Sequence, residues 1–334
     1  MPPRSADPLR AFYRLVPRIR ALEAERRKTW LSLAVAWTAL VGPGLLLGFW
    51  MYRMGASWPM VLLPPLVGAG LAYWLSTSLI YPFKYDFKRA VIRPLMKELL
   101  EDVEYASLGS VSALDLEASQ LFSIPISGVE GEDLVIGRRG GVDVKFSEVV
   151  GYSEISQQGR ATVSSPSGDA DIRTKQIVFR GLFFIADFNK PARGQVIVRP
   201  DNWDSARQAL GILATEKPDD DGLQPVRMED PRFERYFSVY ASDSEVAHYV
   251  LTPVLMEEMA NFREKVGAPV AFSVVYGKLY MAVATRKNML EPPLFGPLAS
   301  PKVFRGYLEH VDMFLTLVER LGLDRRIWGD ITWN

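Results

Sequence analysis

The chain has 334 residues, 48% hydrophobic and 23% charged, with 39 Lys and Arg against 39 Asp and Glu, two histidines and no cysteine. That apolar fraction excludes a largely disordered chain. The lack of cysteine excludes disulfide staples, thiolate metal sites and a cysteine nucleophile. The zero net charge hides two unlike segments: residues 1–93 carry 13 bases and four acids, whereas residues 94–334 carry 26 bases and 35 acids. Such asymmetry points to a membrane or a nucleic acid, and hydropathy decides for the membrane.

Residues 1–28 predict a basic amphipathic helix. Asp7-Pro8 is a helix start, Leu9, Phe12, Val16 and Ile19 recur at helical spacing, and Arg10, Arg14 and Arg18 line another face. Pro17 is expected to kink it. Such a helix lies on an anionic membrane surface or packs on the protein's own domain. Residues 29–83 then predict a transmembrane hairpin with spans at 29–52 and 59–81. Thr29–Tyr52 and Met54–Phe83 are uncharged over 24 and 30 residues, against the roughly 20 that a span needs. The first stretch is too long, and a second follows too closely, for a cleaved signal peptide.

The flanks orient the hairpin. Eight bases in residues 1–28, including Arg26, Arg27 and Lys28, and five in 84–97, including Lys84, Lys88 and Arg89, face Arg53 alone in the connecting turn. By the positive-inside rule both termini are cytoplasmic, with Trp30, Trp50 and Trp58 as interfacial aromatics. Neither span holds an ionisable residue, which argues against a transporter or channel acting alone. Gly42-Pro43-Gly44 and Pro64-Pro65 are expected to bend or open their helices. Gly44 and Gly48 form a GxxxG facing Gly68 and Gly70, suited to close packing within the hairpin or between copies.

Residues 84–104 predict a juxtamembrane stalk helix: Phe83, Phe87, Val91, Leu95, Leu99 and Val103 make one face, with a kink at Pro94. The remainder divides into a strand-rich cytosolic domain, 105–218, and an α+β cytosolic domain, 223–334, with the Asp219–Gly222 loop as their boundary. Strands are expected at 132–137, 142–150, 174–187 and 194–199, with a hairpin turn at Gly137–Gly141 and a loop at Ser156–Asp171. A helix over 244–265, strands at 269–275 and 278–285, and a last helix over 301–322 follow. The fold class is α+β: a two-helix transmembrane hairpin followed by a cytosolic region mixing helices and strands.

No P-loop, HExxH, CxxC or GxGxxG motif is present, and Gly109-Ser-Val-Ser-Ala113 is not a nucleophile elbow, since Val111 stands where the serine would be and the last residue is not glycine. Glu130, Glu132 and Asp133 could hold a divalent ion, but read better as a solvated loop. His248 and His310 have no partner in the sequence that would make either a general base. No catalytic residue, cofactor or metal site is assigned. The acidic soluble region and the missing nucleic-acid motifs disfavour a nucleic-acid role.

Gly131-Glu132-Asp133-Leu-Val, Phe146-Ser-Glu148-Val, Phe179 to Asp187 and Lys190, Glu229 to Tyr240, Leu251-Thr-Pro and Ile327-Trp328 together resemble a bacterial membrane-anchored family called domain of unknown function 3137. The similarity runs over most of the chain. It implies architecture and location, with Glu132, Asp133, Glu148, Asp187, Lys190 and Trp328 as motif positions, and no reaction. The expected function is an inner-membrane-anchored cytosolic scaffold, an accessory subunit of or partner to a membrane complex. It would bind anionic lipid at its basic collars and a protein partner or a second copy of itself. A lipid-binding module with an apolar cavity and a motif-less membrane-associated enzyme are the alternatives.

Overall fold

A computed structural model describes residues 8–157, 172–188, 194–201, 222–286, 288, 290–298 and 300 and, near the C-terminus, 311, 314–316 and 318. The chain forms two compact units, one helical (Arg4–Glu98 with Leu290–Tyr307) and one built on a sheet (Leu99–Met289 with Leu308–Asn334).

In the helical unit, α1 (Pro8–Arg53) and α2 (Trp58–Phe87) pack as a hairpin. The expected basic helix and first span are one 46-residue helix that continues through Pro17 and Pro43. Likewise α2 contains Pro64, Pro65 and Pro82. Close packing replaces the expected opening: a Cβ on Gly44 would stand 2.8 Å from the Pro64 carbonyl oxygen, and one on Gly48 2.5 Å from that of Val61. A side chain on Gly68 would collide with the Leu40 carbonyl, whereas Gly70 faces open space. Gly44, Gly48 and Gly68 therefore serve contact within the hairpin, and Gly70 does not. Within it, the Trp37 indole donates to Ser76 Oγ at 3.0 Å, and that hydroxyl donates to the Ala72 carbonyl at 2.7 Å. These two bonds give the polar groups of Trp37 and Ser76 partners within the hairpin.

The kink expected at Pro94 is a wider turn instead. Lys88–Ile92 is π-helical, and the Arg93 N–H bonds back to the Lys88 carbonyl. Proline lacks an N–H and crowds the carbonyl four residues earlier, and a π turn relieves both. The helix α3 (Arg93–Leu99) then ends, short of the expected 104. Glu101–Ala106 is instead the edge strand β1.

Among the described residues the sheet unit holds nine antiparallel strands in the order β1-β2-β3-β4-β9-β8-β5-β7-β6. They are β1, β2 (Gly128–Arg139), β3 (Val142–Gln157), β4 (Ile172–Asp187), β5 (Val196–Pro200), β6 (Gln224–Val226), β7 (Phe237–Ala241), β8 (Val270–Val275) and β9 (Lys278–Ala284). Because β4 pairs with β9, and β5 with β7 and β8, strands from 105–218 and 223–334 share one sheet. The expected boundary at 219–222 therefore does not separate two sheets. The turns at Gly140-Gly141 and Tyr276-Gly277 have positive φ at both positions, the backbone that two-residue hairpins require.

Short helices cover the faces: α4 (Ala113–Ala118), α5 (Pro231–Glu234), α6 (Ser244–Val250) and α7 (Pro253–Val266). The single helix expected over 244–265 is split because Pro253 starts a new helix, with Thr252 Oγ1 as its N-cap accepting from the Leu255 N–H. Gly267, in the left-handed conformation, ends it. On one face α4 and Leu121 and Ile126 join Val149, Phe179, Phe183, Ile185 and Ala282 in a buried cluster. On the other, Phe184 stacks on Phe146 at 5.1 Å and on Phe314 at 4.3 Å, and Phe272 meets Phe237 and Phe262.

Candidate functional site

Two features carry chemistry, one in each unit. In the helical unit it is the surface of α1 and α2. Residues directly exposed include Trp30, Leu31, Val35, Leu46, Phe49, Trp50, Trp58, Leu63, Leu66, Trp74 and Tyr81. Both helices are long and apolar enough to cross a membrane by length and composition. Tyr52 and Trp58 stack at 5.6 Å beside the connecting turn.

The basic collar is less open than the sequence suggests. Arg27, Lys28 and Arg89 are exposed. Arg26 is only 13% exposed and pairs with Glu23 at 2.6 Å. Its Nη1 also donates to the Leu294 carbonyl at 2.8 Å. Lys84 bonds Glu291 at 2.6 Å, and Lys88 is buried. These three bases therefore serve the protein's own structure. Arg14 adds an ion pair with Glu98 at 2.8 Å. The signal missed was the Glu291-Pro-Pro-Leu-Phe-Gly-Pro297 segment, whose prolines predict an extended strap but not where it docks.

In the sheet unit the feature is an open cleft of about 400 Å³, lined by Glu130, Glu132, Glu148, Arg180, Thr285, Arg286 and Asn288 among others. Register explains it. Glu132 opposes Glu148, Val150 opposes Arg180, and Phe146 opposes Phe184, and directly opposed residues share a face. Along β3 and β4 that face thus passes from aromatic to charged. The Asn288 amide donates to Glu132 at 3.3 Å, and Lys175 bonds Glu130 at 2.9 Å. Glu148 is nearly buried. Alternation along Phe179–Asp187, which places Arg180 on the side of Leu182 and Phe184, was the available signal for Arg180.

Asp133 departs from the reading as part of a solvated loop. It is fully buried, with φ 62° at an irregularity of β2 pairing. Tyr105 donates to its carboxylate at 2.5 Å, and the Asp133 and Leu134 N–H groups reach the Ser107 and Gly109 carbonyls. Burial, and next the Asp133 carboxylate, push the Tyr105 phenol well above its ordinary range, so it stays a donor. Asp133 holds the fold and does not line the cleft. Asp187 sits 3.6 Å from Lys278 on β9, away from Glu132 and Glu148. Among the described residues no group of three His, Asp or Glu side chains is arranged to hold a metal ion.

The polar residues of the remaining motif phrases are mostly helix caps. Asp230 accepts from the Arg232 and Phe233 N–H groups, Arg232 bonds Glu264 at 2.7 Å and Asn261, and Thr252 caps α7. Ser112, in the Gly109–Ala113 phrase, forms a capping box with Asp115. His248 is exposed beside a pocket lined by Met228, Asp230, Leu251 and Pro253. Lys190, His310 and Trp328 lie outside the described residues.

Two long apolar helices followed by a nine-stranded antiparallel sheet with helices define a mixed α/β protein. Residues 177–323 match the sequence model of a family described as protein of unknown function (DUF3137), the family that the motif phrases resemble. The phrases around Glu132 and Glu148 precede the matched span. No curated protein matches the chain. Among solved structures, the crystal structure of the mycobacterial trehalose monomycolate transport factor A, TtfA, is similar at 12% identity, over 66% of this chain and 87% of that one, with a TM-score of 0.29. That correspondence is too loose to bear on fold or function.

Proposed function

We propose that the chain is a bacterial inner-membrane protein in which α1 and α2 span the bilayer and hold the sheet unit in the cytosol as a scaffold for a protein partner. The observation that carries this reading is the apolar exterior of both helices, continuous from Trp30 to Tyr81 and interrupted by no charge except Arg53 at the turn. Exposing that surface to water costs on the order of 25 cal/mol per Å², and lipid removes the cost. Exposed Arg27, Lys28 and Arg89 at the end opposite the turn favour the cytoplasmic leaflet, which sets both termini inside.

The scaffold role rests on the acidic balance of residues 94–334 and on the caps and core contacts that absorb most motif residues. The protein partner, accessory-subunit role and lack of catalysis belong to this proposal. The chain lacks cysteine, so orientation is open to direct test. Ser57→Cys in the turn should react with an impermeant maleimide on intact spheroplasts, and Tyr276→Cys only after lysis; the reverse pattern overturns the orientation. A native mass of the protein extracted in mild detergent should exceed that of one chain, and a partnerless monomer sinks the scaffold reading.

A second reading, small-ligand binding or catalysis at the charged cleft, is favoured by the nearly buried Glu148 carboxylate beside Arg180. Glu148→Gln without phenotype, in a strain that needs the protein, would remove it.

A further inference from the structure

We infer that the Leu290–Leu298 strap is a third point of lipid contact, seating Phe295 in the headgroup region of the bilayer beside the two spans. The strap is held on both sides of Phe295: the Leu294 carbonyl accepts from Arg26, and the Leu298 N–H donates to Glu23 at 3.2 Å. Glu291 fixes its start to Lys84. Leu290 and Leu298 are buried at its two ends, whereas Phe295 between them is 75% exposed. Gly296 follows at φ +99°, a conformation costly for any residue with a Cβ, so the backbone here is shaped to present its neighbour.

The level of the strap follows from its anchors. Arg26 precedes the uncharged stretch that begins at Thr29 by three residues, about 4.5 Å along a helix. Lys84 directly follows the second stretch, which ends at Phe83. Phe295 therefore stands where the apolar exterior of α1 and α2 gives way to exposed Arg27 and Lys28. An aromatic ring among cations at that height matches the amphipathic headgroup layer of an anionic bilayer. An isolated surface phenylalanine would need no explanation; one pinned on both sides at the end of an apolar band does. Arg26 and Lys84 thereby gain a role, since they spend their charge holding the strap.

The inference rests on the proposal that α1 and α2 cross the bilayer, and the experiment separates the two. Phe295→Cys, Leu66→Cys in the band and Tyr276→Cys in the sheet unit are each made in the cysteine-free full chain. Each is labelled with an environment-sensitive fluorophore and reconstituted in vesicles of phosphatidylethanolamine and phosphatidylglycerol. Spin-labelled lipid quenches a fluorophore at its own depth. The label at 295 should lose intensity to headgroup-labelled lipid more than to lipid labelled deep in the acyl chain. The label at 66 should show the opposite order, and the label at 276 no loss. If 295 behaves as 276 does while 66 is quenched, the strap does not touch lipid and the inference falls. If 66 is not quenched either, the spanning helices fall with it. Arg26→Met, which removes the strap's donor, should lower quenching at 295 and leave 66 unchanged; unchanged quenching at 295 overturns the anchoring role.

Discussion

Asp115 shows how a side chain far from any catalytic motif is made to matter. Its carboxylate accepts from the Ser112 N–H at 2.9 Å, from Ser112 Oγ at 2.8 Å and from Lys145 at 2.7 Å. Burial raises its pKa, but Lys145 and the Ser112 bonds outweigh that, and the carboxyl is held below its ordinary 3.8. A carboxyl whose folded pKa is depressed adds stability above its unfolded value and loses it as pH falls through the folded value. Asp115→Asn should therefore destabilise the protein by about 1 kcal/mol at neutral pH, the usual worth of a cap. In urea unfolding of the detergent-solubilised chain, the gap from the parent should hold between about pH 5 and 7 and close below about pH 4. Asp133 makes the complementary point. As one of three acids in four positions it reads as surface, yet φ 62° and the Tyr105 hydroxyl bury it; nothing in local composition distinguishes it from Glu132.

Among the elements, the helices of the hairpin were legible because charge and hydropathy are properties of a run of residues. Their continuity through Pro17, Pro43, Pro64 and Pro65 was not, since whether proline breaks a helix depends on what packs against the turn it loosens. The glycines separate local pattern from contact in the same way. Gly68 and Gly70 look equivalent in sequence, but only Gly68 lies against the backbone of α1 at Leu40. Gly68→Leu should destabilise the hairpin by about 1–3 kcal/mol or more, as overpacking does, while Gly70→Leu should leave it intact. Thermal unfolding of the two variants in one detergent decides this, and equal effects would refute the packing described. The split of 244–265 into α6 and α7 was readable in principle, because Thr252-Pro253 is a helix start as well as an interruption. Glu101–Ala106 offers no such cue: as an edge strand with mostly exposed side chains, it continues the helical charge pattern before it.

Across the whole molecule, long-range pairing joins segments that the sequence keeps apart. Phe184 on β4 touches Phe146 on β3 and Phe314 near the C-terminus, and it is fully buried. Phe184→Ala should cost about 3–5 kcal/mol, read as a lower urea midpoint with an unchanged slope. A loss within about 1 kcal/mol would mean that the site collapses around the smaller side chain.

Composition, the opposed charges of residues 1–93 and 94–334, the two uncharged runs and the hairpin turn within Gly137–Gly141 were determined by the sequence alone. Each depends on residues close together in the chain, where periodicity and φ preference act directly. The single sheet uniting β1–β5 with β6–β9, the burial of Asp133, and the diversion of Arg26 and Lys84 from lipid to the strap were decided only by tertiary structure. Register, ion pairs and side-chain hydrogen bonds join residues as far apart as Arg26 and Leu294, and the free energy of such a contact is set by what surrounds both partners once folded.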